Sequence, residues 1–315
     1  MKGHDPMLRN IYIIGMGALG VFYGHLIEKN LPAGEGCLHF IADTDRISRY
    51  QKKTITCNGE ICNFSFADAS ESDPTADLII FATKATGLAD AIESVRGYVG
   101  ENTLLISVLN GISSEEMLSE AFGNDRVIPC IARGMDATKL GDDLIFANKG
   151  KLIFGAEKNA PHKAERIAAL EEFFTKTDIP YIVSKDIEHD LWEKFMLNVG
   201  VNQGMMVHET NYGGMSMPGE ARDTMVAAMH EVLRLSYAEG IGLSGADVQR
   251  SLDLIDSLDP TGYTSMRQDA INHRYSEVEI FAGTVLRLGK KHGIETPVNQ
   301  FLYDRIKEIE SAYNK

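Results

Sequence analysis

Apolar positions in the first half of the chain fall in short unbroken runs. Residues 11–14 (Ile-Tyr-Ile-Ile), 37–42 (Cys-Leu-His-Phe-Ile-Ala), 78–82 (Leu-Ile-Ile-Phe-Ala), 103–108 and 127–131 each predict a strand, with helical segments between several of them. A continuous apolar run of this length is the pattern of a parallel strand covered on both faces. Residues 54–66 hold two shorter strand-like runs split by Asn58-Gly59, a dipeptide suited to a type I′ hairpin turn. Residues 144–146, 151–154 and 181–183 add short strands. Parallel strands linked by helices predict an α/β fold with a Rossmann-type doubly wound sheet.

After Ser184 the period changes to that of helices alone. Residues 186–203 place Ile187, Leu191, Phe195 and Val199 along one face. Residues 221–239 predict a longer helix that Gly240 stops. Ser244-Gly245-Ala246-Asp247 can start another. Ser276 and Glu279 have the spacing of a capping box, and Pro297 suits the first turn of the last helix. The change of period predicts two domains: a dinucleotide-binding one over residues 1–185 and an all-helical one over 186–315. No internal repeat or low-complexity linker interrupts them.

Composition narrows the partners. The 315 residues carry a net charge of −14, which argues against nucleic acid and against an anionic membrane surface. No apolar run approaches a membrane span. Residues 1–9 lack the apolar core of a signal peptide and predict a short disordered lead-in. The four cysteines, Cys37, Cys57, Cys62 and Cys130, form no C-x-x-C pair. They are expected to be free thiols of a cytoplasmic protein, without a disulfide or a metal site. Gly204-Met205-Met206 is expected to be core packing.

Two constellations carry chemistry. Gly15-Met16-Gly17-Ala18-Leu19-Gly20 follows the first strand directly and opens a helix. The first glycine permits a tight turn, the second lets the backbone approach a pyrophosphate, and the third lets the helix pack on the strand. The helix N-terminus offers unpaired N–H groups and a positive dipole end to phosphates. Asp43, 23 residues after Gly20, stands at the end of the second strand, where a Rossmann acid accepts the ribose hydroxyls. The second constellation is Lys194, Asn198 and Asn202, spaced by four along one helix face beside the apolar row. An ammonium there can protonate an oxygen becoming an alkoxide, and carboxamides can hold carbonyl and hydroxyl groups without adding charge.

In order along the chain, Gly15 to Gly20, Thr83-Lys84, Leu109-Asn110-Gly111, the Lys194–Asn198–Asn202 row, Ser265-Met266-x-Gln268-Asp269, Ser276 to Gly283 and His292 to Asn299 form one set. Over nearly its whole length the sequence resembles the ketopantoate reductases (2-dehydropantoate 2-reductases). The resemblance implies a Rossmann domain, a helical domain and an active site in the cleft between them. It implies NADPH-dependent reduction of 2-dehydropantoate to pantoate, a step toward pantothenate and coenzyme A. A small 2-oxo acid is then the substrate, and a homodimer is allowed. By the same resemblance Lys194 is the proton donor, and Asn198, Asn202, Asn211 and Ser265 bind the substrate. Asn110 lies near nicotinamide and substrate, and Glu277 near the cofactor and the lysine. Lys84 lines the cofactor cleft, and Ala137 aligns loosely with a cofactor-contacting alanine. Taken singly, Glu277 could only complement a helix dipole, Asn110-Gly111 only make a turn, Ser265 only cap a helix, and Lys84 only be solvated.

Two departures bear on specificity. The family often continues its second carboxamide as Asn-Pro-Leu-Thr-Ala-Leu, whereas Asn202 is followed by Gln203-Gly204-Met205-Met206-Val207. A third asparagine usually comes ten residues on; Asn211 comes nine on, and Tyr212 takes the tenth place. An altered pocket for another 2-oxo acid is therefore open. Many members also carry an arginine where Asp43 stands, so NADP is the family expectation and NAD the alternative, with Arg46 and Arg49 close enough to compensate. Two other readings compete. A dehydrogenase of the 3-hydroxyisobutyrate or 6-phosphogluconate type is disfavoured by the Ser265–Glu277 spacing. A non-catalytic dinucleotide-binding redox sensor would have no use for Lys194.

Overall fold

β1 (Asn10–Ile14) is the strand about which the first unit is built: Ile11 and Ile13 face one buried cluster, Tyr12 and Ile14 the other. In the computed structural model residues 8–32, 34–71 and 74–313 are described. Residues 1–7 of the expected lead-in lie outside them. The further strands are β2 (Cys37–Ala42), β3 (Thr56–Cys57), β4 (Glu60–Ile61), β5 (Ser65–Asp68), β6 (Leu78–Phe81), β7 (Leu104–Ser107), β8 (Cys130–Met135), β9 (Thr138–Leu140), β10 (Asp143–Ile145), β11 (Lys149–Phe154) and β12 (Tyr181–Val183). The helices of this unit are α1 (Ala18–Asn30), α2 (Thr44–Tyr50), α3 (Leu88–Val95), α4 (Ser114–Phe122) and α5 (Ala164–Lys176).

The main sheet has the order β5-β2-β1-β6-β7, and every pair is parallel. Strand order reverses between β1 and β6, and open α/β sheets bind ligands at the carboxyl ends beside such a reversal. Burial on both faces explains why these strands read as unbroken apolar runs. Asn58 and Gly59 both have positive φ, 48° and 81°, and form the expected tight hairpin between β3 and β4.

The later strands do not extend the parallel sheet. β10 pairs parallel with β3 and antiparallel with β9; β11 pairs antiparallel with β8 and parallel with β12. The turns joining β8 to β11 are only a few residues long, too short for the crossover that a parallel pair needs. The strand expected over residues 127–131 begins at Cys130; before it, Val127 makes a single bridge to Leu105. Pro129 has no N–H for a ladder, so a central strand cannot pass through it.

The chain divides into two compact units: residues up to Asn110 with Ser114–Ile187, and Gly111–Ser113 with the residues from Glu188 on. The second is helical. After α6 (Ile187–Val207) come α7 (Tyr212–Ser216), α8 (Glu220–Ala238), α9 (Gly245–Ser257), α10 (Ser265–Ile271), a π-turn (Glu279–Gly283), α11 (Thr284–His292) and α12 (Pro297–Ser311). α6 is buried on most of its circumference, as a helix at the centre of a bundle must be. A Cβ at Gly200 would come within 2.7 Å of Met229, so glycine is what allows α8 this close. Ser244 and Asp247 form a capping box that opens α9. The box expected at Ser276 does not form. Ser276 instead donates its N–H and hydroxyl to Glu310 of α12, at 2.7 and 2.6 Å, and Glu279 accepts from Tyr303 and Lys307.

Candidate active site

The three glycines of the loop after β1 have three different reasons. Gly15 has φ +110°, and a Cβ there would lie 2.5 Å from the Ala82 carbonyl oxygen at the end of β6. A Cβ at Gly20 would lie 1.9 Å from the Gly15 carbonyl oxygen. Both are therefore required by the chain itself, because strand, turn and helix approach closely there. Gly17 is exposed, has an ordinary φ of −74°, and its Cβ would meet nothing nearer than 3.7 Å. Packing does not demand glycine at 17, and its absence of a side chain leaves the backbone surface there bare. Gly17 caps α1 without a side-chain bond, and the first turn holds no acid, so Ala18, Leu19 and Gly20 present N–H groups and an uncompensated dipole end. Met16 is half-buried beside them. These features fit a pyrophosphate.

Thr83, first after the Ala82 carbonyl, has a buried hydroxyl with no hydrogen-bond partner. Its backbone nitrogen would sit 2.8 Å from a Gly15 Cβ, so the backbone of Thr83 lies beside the glycine loop. Thr83 follows the end of β6, beside the reversal of strand order. Lys84 is exposed and precedes a short 3₁₀ turn at Ala85–Gly87. Asn110 is half-buried three residues beyond β7, and Gly111 follows at φ +90°. Ala137 sits in the β8–β9 turn and packs on the apolar core.

Asp43 is exposed at the end of β2 and caps α2. One carboxylate oxygen accepts the Arg46 N–H at 2.7 Å, and the other lies 3.3 Å from the Arg46 guanidinium. Arg49 turns its Nε back to the Asp45 carbonyl. The acid expected to meet the ribose and one of the two arginines expected to compensate it are thus a bonded pair.

In the helical unit Lys194, Asn198 and Asn202 share a face of α6, with Lys194 and Asn198 half-buried and Asn202 only 6 % exposed. The intervening positions Phe195 and Val199 are in the core, which fixes the rotation of the helix. Ser265 is exposed at the first position of α10 and is not the cap; that position is Thr264. The Thr264 N–H meets the Met205 sulfur at 3.2 Å, which brings the start of α10 to the turn of α6 after Asn202. Glu277 is half-buried two residues before the π-turn, whose Ala282 N–H is held by Gln203 of α6 at 3.0 Å. Asn211 stands apart from the row: its side-chain oxygen accepts the Gly214 N–H and caps α7.

The remaining chemistry is quiet. The cysteines are free, and burial pushes the Cys57 thiol to about 11 and the Cys62 thiol to about 12, so neither is a thiolate at neutral pH. Among the described residues there is no cluster of three or more metal-ligating side chains, and no helix is long and apolar enough to cross a membrane.

Family models match both units of the chain. The family profile described as "Ketopantoate reductase PanE/ApbA" matches residues 11–159, and its C-terminal counterpart matches residues 186–310. A 2-dehydropantoate 2-reductase of Vibrio cholerae is 26 % identical over 311 residues, covering 97 % of this chain and 99 % of the relative. One of Aquifex aeolicus is 25 % identical over 309 residues, covering 96 % and 98 %. A D-mandelate dehydrogenase solved with NADH and anilino(oxo)acetate superposes with a TM-score of 0.83 at 22 % identity, covering 97 % of this chain and 99 % of the other. The chain belongs to the ketopantoate reductase family and is an NAD(P)-dependent oxidoreductase.

Proposed function

We propose that this enzyme reduces a 2-oxo acid, 2-dehydropantoate first among them, to the 2-hydroxy acid. The observation that carries the reading is the row of one lysine and two carboxamides on α6, in a chain that also holds a dinucleotide loop. The nicotinamide supplies a hydride for C2. Lys194 gives a proton to the oxygen that becomes the alkoxide. Asn198, Asn202 and Ser265 hold the carboxylate and hydroxyl groups, Asn110 aligns the reactants, and Glu277 orients Lys194. Gly17, the first N–H groups of α1 and the Thr83 hydroxyl would hold the dinucleotide, with Lys84 at its edge. 2-Dehydropantoate is the substrate named for the Vibrio and Aquifex relatives.

For the cofactor we propose NADP, with Arg46 meeting the 2′-phosphate. The exposed Asp43 carboxylate favours a second reading, NAD, because it accepts ribose hydroxyls and repels a phosphate. One assay tests these readings: oxidation of NADPH and of NADH by the wild type against a panel of 2-oxo acids. Lys194→Ala should lower kcat by roughly 10²–10⁴-fold, the usual contribution of a positioned general acid, with dinucleotide affinity unchanged. Turnover within a few-fold of wild type removes Lys194 from the chemistry.

A further inference from the structure

Gln203 is fully buried near the C-terminal end of α6, one residue beyond Asn202. A buried carboxamide is tolerated only if its donors and acceptor are used. All are. Its Nε2 donates to the Val199 carbonyl one turn back (2.8 Å) and to Oδ1 of Asn299 (3.3 Å). Its Oε1 accepts the N–H of Ala282 in the π-turn (3.0 Å). Asn299, also fully buried, spends its two side-chain protons on the Ala228 carbonyl and on Glu231. The Glu231 carboxylate, 1 % exposed, further accepts the N–H groups of Val298 and Asn299 and so closes the N-terminus of α12.

The network has one orientation. Flipping the Gln203 amide would set an N–H against the Ala282 N–H, and flipping Asn299 would set its oxygen against the Glu231 carboxylate. Four elements thus meet through three side chains, and the link from α6 to the π-turn runs through Gln203. A π-turn is a widened, irregular piece of helix. The Ile280 N–H is bonded to the Glu277 carbonyl, and the N–H groups of Phe281 and Gly283 to the Val278 carbonyl, so the backbone of Glu277 belongs to the same hydrogen-bonded turn. Where the Ala282 amide is held, the start of that turn is held.

We propose that Gln203 is a positioning residue, fixing the backbone that carries Glu277 against the helix that carries Lys194, Asn198 and Asn202. The proposal rests on the reduction assigned above. Gln203 touches no reactant in this scheme; it acts through the distance between Glu277 and the α6 row.

Three variants test it, each read by steady-state kinetics, dinucleotide titration, thermal unfolding and hydrogen exchange over residues 277–283. Gln203→Met roughly keeps the volume and removes the acceptor for Ala282 together with the donors to Val199 and Asn299. Its kcat should fall about 10- to 100-fold, the effect of a misplacement on the order of 1 Å. Dinucleotide affinity should be unchanged, and exchange at Ala282 should be faster. Gln203→Glu retains an acceptor oxygen for Ala282 but, as a carboxylate, would set its other oxygen against the Val199 carbonyl and Asn299 Oδ1; it should recover slow exchange and part of kcat only where its carboxyl is protonated and can donate to one of them. If Gln203→Met does not fold, Gln203→Asn keeps the amide but is one methylene too short to reach Ala282, and the same losses are expected. A folded Gln203→Met or Gln203→Asn with wild-type kcat overturns the proposal alone, as does unchanged exchange at Ala282. No turnover of any 2-oxo acid by the wild type overturns the assigned reaction, and this proposal with it.

Discussion

At the scale of single residues, the glycine loop separates what the fold needs from what a ligand needs. A Cβ added at Gly15 or Gly20 would lie under 3 Å from backbone atoms, so a side chain at either strains the turn. Gly17→Val has a Cβ that meets nothing nearer than the Ala82 carbonyl oxygen at 3.7 Å and an ordinary backbone angle, so it should leave the thermal midpoint near that of wild type. It should nevertheless abolish binding of both NADH and NADPH, because its side chain occupies the backbone surface offered to the pyrophosphate. Titration of the folded variant decides this, and unchanged affinity for both dinucleotides would show that the loop holds neither. Asp43 and Arg46 make a second pair separable by substitution. Asp43→Asn keeps a side-chain oxygen for the cap on α2 and removes only the charge, so it should shift kcat/KM toward NADPH. Arg46→Ala should shift the ratio toward NADH. If neither ratio moves, the pair does not read the 2′ position.

Among the elements, those legible in the sequence are those whose partners are implied by their own period. The parallel strands announced themselves by unbroken apolar runs, and α6 by Ile187, Phe195 and Val199 beside the Lys194 row. The Asn58-Gly59 hairpin and the start of α9 followed from local backbone chemistry. Elements decided by distant partners were not legible. An apolar triplet such as residues 152–154 predicts a strand and says nothing about which strand it pairs with or in which direction, so the separate sheets formed by β8 to β12 could not be read from it. Ser276 and Glu279 had a capping box's spacing, but Glu310, 34 residues on, took Ser276. Gln203 had no local signal, since the partners that give it its part lie on two other elements. The Ser244–Asp247 box allows a quantitative check of an element's terminus. Burial works to raise the Asp247 carboxyl, but the two bonds from Ser244 and the nearby His189 and Arg250 hold it below the usual range. A lowered folded value means stability that is present above the unfolded value, about 3.9, and is lost as pH falls through the folded one. Asp247→Asn should therefore be less stable than wild type at pH 7, with the gap closing as pH is lowered toward 3. Denaturant unfolding at stepped pH measures it; a gap independent of pH would mean that the charge of Asp247 contributes nothing to α9.

For the whole molecule, charge is the property with the widest reach. Forty-five acids face 31 lysines and arginines, and the surplus of −14 opposes compaction through mutual repulsion. Several carboxylates escape this by direct partners. Asp256 is held down by Arg222, and in Glu239 the bonds from Lys291 and His292 outweigh a burial that works to raise it. Asp136 is held down by the N–H of Asn148, against a smaller opposing effect of burial. The two populations respond oppositely to acid. Unpaired surface acids relieve repulsion when they protonate, whereas paired ones have lowered folded values and withdraw stability as pH falls through them. Salt separates the contributions, because screening acts on repulsion between exposed charges and little on short bonded contacts; the Debye length falls from about 30 Å at 0.01 M to about 10 Å at 0.1 M. At pH 7 raising the salt over that interval should raise the thermal midpoint. Near pH 4, with much of the excess charge neutralised, the same step should have a smaller effect, and the midpoint should lie below its pH 7 value at both salt concentrations. A midpoint that falls with salt at pH 7 would show that attractive pairs, not the acidic surplus, govern the electrostatics of the fold.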